Sequence, residues 1–107
     1  MASGKLGAAD LAADTYATVY TVPASTVSTL NIAIVNRGSG DATVRVALTT
    51  EATTPALADF VEFDAIVPGA GGILERTALV AGAGEKVMVR STSGDVSVRV
   101  HGFEEDA

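Results

Sequence analysis

The 107 residues include no cysteine, so neither a disulfide nor a thiolate metal cage can hold this chain together. Tryptophan is absent as well, and two tyrosines with three phenylalanines leave little aromatic surface for stacking bases. The single histidine, His101, would have to serve any imidazole metal cluster or any Ser/His/Asp arrangement. Bases are scarce: seven Lys and Arg against thirteen Asp and Glu give a net charge of −6, which opposes binding to nucleic-acid phosphates. Charged residues make up 19% and hydrophobic ones 48%, which excludes a disordered chain and fits one small globular domain.

A solid greasy run is missing too. Residues 15–36 carry no charge and are long enough to cross a bilayer, but Pro23, two serines, five threonines and two asparagines interrupt them. Two strands joined at Pro23-Ala24-Ser25 account for that stretch, and no membrane span is expected. Residues 1–14 hold one lysine, two aspartates and no apolar block, unlike a signal peptide.

What is present is alternation of period two. Leu30, Ile32 and Ile34 alternate with Asn31, Ala33 and Val35; Val44, Val46 and Leu48 with Arg45 and Ala47. Val87 and Val89 flank Met88, and Val96, Val98 and Val100 alternate with Ser97, Arg99 and His101. Such spacing places one set of side chains on a core face, so Val46, Val89 and Val98 should point inward. Tyr16, Thr18, Tyr20 and Val22 should share a face, as should Val61, Phe63 and Ala65 opposite Phe60, Glu62 and Asp64.

Gly- and Asp-rich turns separate the runs, with Ser93-Gly94-Asp95 reading as a tight hairpin. The pattern predicts an all-β fold, a single antiparallel β-sandwich (jelly roll or immunoglobulin-like) of about seven to eight strands over residues 15–107. Residues 1–14, rich in Ala and Gly and without alternation, are expected to be an N-terminal arm outside the core, with a turn or two of helix near Ala8 to Asp14. The long gap at residues 49–58 has room for a short helical turn or an edge strand.

Candidate chemistry is sparse. His101 falls with Ser97 and Arg99 on the face opposite the valines, the position of a surface or interface residue. Glu62 and Asp64 are expected to share a strand face about 6–7 Å apart, a span that suits a cation, but calcium-loop spacing is lacking and arginines offer simpler partners. Gly82-Ala83-Gly84-Glu85-Lys86 lacks the spacing and the following Ser or Thr of a phosphate loop. No enzyme, cofactor or metal is expected. The candidate partner interface comprises Lys5, Leu6 and Leu11 of the arm with Tyr16 and Tyr20, because tyrosine favours half-buried surfaces.

Three segments, Tyr20-Thr21-Val22-Pro23-Ala24, Asn31-Ile32-Ala33-Ile34-Val35-Asn36-Arg37 and Val44-Arg45-Val46-Ala47-Leu48, resemble small virion structural proteins of tailed bacteriophages, of the marine and cyanobacterial type. The leader Gly4-Lys5-Leu6-Gly7-Ala8, the stretch Phe60-Val61-Glu62-Phe63-Asp64 and the ending from Val96 to Glu105 extend the likeness over nearly the whole chain. The resemblance implies a non-enzymatic β-sandwich building block on the outer surface of a capsid or tail. A head decoration (cement) protein on the capsid lattice is the first expectation, touching the major capsid protein and forming a homo-oligomer, specifically a trimer. A tail, baseplate or fibre component is the second, with tail proteins as partners. A carbohydrate-binding module is the third.

Overall fold

The longest alternating runs become the longest strands. In the computed structural model, which describes residues 2–107, β3 (Thr26–Asn36) buries Leu30, Ile32 and Ile34 and turns Ala33 and Val35 outward. It pairs along its full length with β8 (Val96–Asp106), which buries Val96, Val98 and Val100. The remaining strands are β1 (Ser3–Asp10), β2 (Ala17–Thr21), β4 (Ala42–Thr49), β5 (Phe60–Val67), β6 (Ile73–Gly82) and β7 (Lys86–Ser91). One turn of 3-10 helix, Leu57–Asp59, occupies the gap before β5.

The strands form two four-stranded antiparallel sheets: sheet I in the order β1-β8-β3-β6 and sheet II in the order β2-β7-β4-β5. Beneath that order lie four nested pairs, β1 with β8, β2 with β7, β3 with β6 and β4 with β5. Between the two sandwiches expected from the sequence, this nesting is the jelly roll. Only β4 and β5 are consecutive strands paired side by side in one sheet; every other connection passes from one sheet to the other. The segment Ser93-Gly94-Asp95 is therefore a crossover and not the hairpin its residues suggest. It is held by Thr92 N–H donating to the Thr43 carbonyl and Arg37 N–H donating to that of Asp95.

The core lies between the sheets, and Val46, Val89 and Val98 face it at 0%, 0% and 2% exposure, as alternation predicts. The expected N-terminal arm is not an arm. Ser3–Asp10 pairs with β8 as the edge strand of sheet I, and Leu11 follows it into the core at 2% exposure. Its alternation is hidden because the register slips between Lys5 and Gly7, so Leu6 packs against the core without a cross-strand partner. The helix expected near Ala8 is accordingly a strand end. Gly7 is required where β1 passes β2, since a Cβ there would sit 2.2 Å from the Val19 carbonyl oxygen.

Two further irregularities reverse expected faces. A register shift between Thr18 and Tyr20 turns Tyr20 into the core while Tyr16 stays on the outer face of sheet II, so the two tyrosines do not share a face. In β5, Asp64 adopts φ 53° and the register slips on either side of Val46. Val61 and Ala65 pack inward, whereas Phe63 is 51% exposed on the outside. Glu62 is separated from Asp64 by the same slip.

Polar contacts close both open sides of the sandwich. On the β1/β2 side, the Tyr20 hydroxyl donates to Glu104 Oε2 at 2.5 Å and lies 2.7 Å from Ser28 Oγ, which is left to donate to Tyr20. On the β5/β6 side, Arg76 Nη1 donates to the Val61 carbonyl at 2.7 Å and stands 3.6 Å from Glu62 Oε2. Asn36, fully buried at the end of β3, donates to the carbonyls of Gly40 and Val67 and accepts from Gly38 N–H. Every hydrogen-bonding group of its side chain is thereby used, and two loops are tied to one residue.

Candidate functional site

The outer face of sheet II presents the densest arrangement of side chains suited to recognition. Register places Arg45 on β4 directly opposite Arg90 on β7, a like-charge pair that is unfavourable by itself. Two aspartates relieve it. Asp64 accepts from Arg45 Nε at 2.6 Å and from Nη2 at 3.3 Å, and Asp14 accepts from Arg90 Nη2 at 3.3 Å. Both carboxylates are delivered by residues in the left-handed region, Asp14 at φ 56° and Asp64 at φ 53°, a conformation that aspartate tolerates better than most residues. The forked bond from Arg45 holds the Asp64 carboxyl below the usual carboxylate range, and the guanidinium is held more firmly protonated than usual.

Three of the five aromatic rings gather around this pair. The Arg45 guanidinium lies over Phe63 at 4.1 Å, and Phe60 meets Phe63 edge to face at 5.0 Å. Tyr16 packs 6.3 Å from Phe60, its hydroxyl accepts from Arg45 Nη1 at 3.3 Å, and Arg90 lies 5.8 Å over its ring. Guanidinium, carboxylate and rings fix one another, so the surface is ordered before any partner arrives. That order lowers the side-chain entropy lost on binding, and Tyr and Arg are the residues that dominate protein-protein hot spots. Arg45 covers one face of Phe63, which stays 51% exposed.

The residues selected from sequence are scattered by the fold. Tyr16 belongs to this surface. Tyr20 and Leu11 are core residues, and Leu6 packs against the core, so none of these three offers a free surface. Lys5 is exposed on sheet I, on the opposite side of the molecule from Tyr16. Alternation already places Phe60 and Asp64 on the outward side with Arg45, but only the slipped register turns Phe63 out beside them, so the cluster is not legible as an interface in the sequence.

Glu62 and Asp64 do not share a site: Glu62 turns inward toward Arg76 and Asp64 outward to Arg45. Among the described residues no group of three His, Asp or Glu side chains is placed to hold a metal ion. His101 stands in sheet I between Lys5 and Asn31, with its Nδ1 shielded from solvent and unpartnered. Across the outer face of sheet I runs a shallow groove of about 510 Å³, lined by Ala8, Asp10, Ala33, Val35, Ile73 and Arg99. Among the described residues no helix is long and apolar enough to cross a membrane. Comparison with known proteins finds no matching family model, no matching curated protein and no matching solved structure.

Proposed function

We propose that this chain is a non-enzymatic structural protein of a tailed-phage particle, a head decoration protein that binds the capsid lattice through the outer face of sheet II. The observation that carries this reading is the interlocked Tyr16–Arg45–Phe63–Asp64 surface, an ordered anchor with half-exposed Phe63 at its centre. The jelly-roll order supports it in part, since capsid proteins use that architecture, as do lectins and cupins. The sequence resemblance to phage virion proteins selects among those uses.

The test is reconstitution on parent particles that lack the protein. Purified chain is added, and copies are counted by cryo-electron microscopy alongside a Phe63→Ala variant. Hundreds of copies on the head, reduced by the variant, support the reading; a small number at the tail supports a tail component instead. Absence from the particle overturns both.

A further inference from the structure

Sheet I carries unused, complementary chemistry on its outer face. Register aligns Arg99 on β8, Ala33 on β3 and Glu75 on β6 in one row across the strands. Neither Arg99 nor Glu75 has an ion-pair partner among the described residues. A parallel row holds Phe103, Thr29 and Val80, with Phe103 47% and Val80 64% exposed. In each row β3 contributes the smaller central residue, and the unlike groups flank it.

We infer that this face pairs with the same face of a second copy, about a two-fold axis running along β3. Rotation about that axis keeps the level along the strands and exchanges the two sides, so β8 of one copy lies over β6 of the other. Arg99 then faces Glu75 of the second copy, twice by symmetry, and Phe103 faces Val80 of the second copy. Ala33 and Thr29 fall on the axis, where short side chains let two sheets approach to the usual spacing of about 10 Å. The charge order Arg–Ala–Glu is its own complement under this exchange, which is why the occupant is a second copy and not an unrelated chain. Three strands about 4.8 Å apart and some 36 Å long cover roughly 500 Å² per copy, or about 1,000 Å² in total, the lower bound for a specific interface.

The pairing does not rest on the particle reading, and it differs from the trimer that the resemblance implies. It is tested in solution, without particles, by light scattering on the full chain at up to about 100 μM. The expected mass is twice 10.8 kDa. Arg99→Glu and Glu75→Arg should each raise the dissociation constant by about two orders of magnitude, because each sets like charges face to face at two places. Their thermal melts should stay cooperative, both sites being on the surface. Mixing the two single variants should restore the dimer, as should the doubly exchanged Arg99→Glu/Glu75→Arg chain. A monomer or trimer for the unaltered chain, or no recovery on mixing, would overturn the inference.

Discussion

The Tyr20 hydroxyl donates to the Glu104 carboxylate at 2.5 Å and so ties β2 of sheet II to β8 of sheet I across 84 residues of chain. Ser28 completes the contact from β3. Arg76 and the Val61 carbonyl make the corresponding clasp on the opposite side, between edge strands β6 and β5. A sandwich of this size has few inward positions near its open sides that can be filled by Val or Ile alone. Long polar side chains anchored at their tips close those gaps.

The Tyr20 contact should set both limbs of the stability profile. Burial, followed by the Glu104 hydrogen bond, raises the Tyr20 pKa above its ordinary value, while the Tyr20 hydrogen bond lowers that of Glu104. A raised phenol contributes stability below its unfolded value of about 10 and loses it as pH climbs through the folded value. A lowered carboxylate contributes above its unfolded value of about 4.3 and loses it as pH falls through the folded one; Asp64, lowered by Arg45, acts in the same direction. Thermal melting should therefore be flat between about pH 5 and 9 and decline outside that range. Tyr20→Phe should flatten the alkaline limb, remove the Glu104 share of the acid limb and lower the neutral-pH midpoint by at least about 4–8 °C, the equivalent of ~1 kcal/mol for the bond with Ser28, to which the loss of the Glu104 bond adds. An unchanged alkaline limb would show that Tyr20 does not carry it.

Removal of residues 1–11 should unfold the domain. It would expose the long edge of β8 and delete Leu6 and Leu11, whose burial is worth about 3–6 kcal/mol against a total of about 5–15 kcal/mol. Circular dichroism of the truncated chain checks this, and a cooperative melt close to that of the full chain would contradict it.

Gly102→Ala should be among the most damaging single substitutions. Gly102 has φ 150°, and a Cβ there would lie 1.9 Å from the Thr29 carbonyl oxygen on β3. Backbone strain and forced displacement together cost about 2–6 kcal/mol. Urea unfolding measures the loss, and a change below about 1 kcal/mol would mean that β8 relaxes freely at this point.

Phe63→Ala and Arg45→Ala should separate binding from folding. Phe63 is half exposed, so its loss should shift the melting midpoint by only a few degrees, while attachment to the particle weakens by about tenfold or more. Equal losses in both measurements would make the cluster a stability element alone.

The alternation of β3 and of the first half of β8 is readable because each buries one face and leaves the other more open, while in β4 and β7 the inward valines keep period two although Ala47 and Met88 on the other face are buried as well. That of β1 is not, because a register slip beside Gly7 lets Leu6 pack out of phase on an edge strand. The faces of Tyr20 and Phe63 depart from plain alternation through irregular pairing: Tyr20 follows a bulge that inverts its face, and Phe63 lies in a stretch with two register shifts, where it turns outward beside Asp64 before Ala65 returns to the core. The Arg45–Asp64 pair was visible as residues available for pairing, but the Phe63 ring beside it depends on that outward turn. Asn36 is a buried junction that composition does not reveal, since asparagine is as common in an exposed turn as in a loop anchor. Crossovers and hairpins also share turn residues, so the nested order could not be read from Ser93-Gly94-Asp95.

The nesting of strands has a consequence for how the chain reaches this structure. β4 and β5 meet by closing only residues 50–59; β3 with β6, β2 with β7 and β1 with β8 each require a longer segment to close than the pair before. Loop-closure entropy rises with that length, so the cheapest order of assembly starts at the middle of the sequence and zips toward both ends. A topology with so much non-local pairing belongs among slow folders, in milliseconds to seconds instead of microseconds. The ends come together last, where Ala2 N–H meets Glu104 Oε1 at 3.0 Å. Joining them with a short linker and opening the chain between β4 and β5 would leave every strand pair intact, yet would remove the one local hairpin and reverse the direction of zipping.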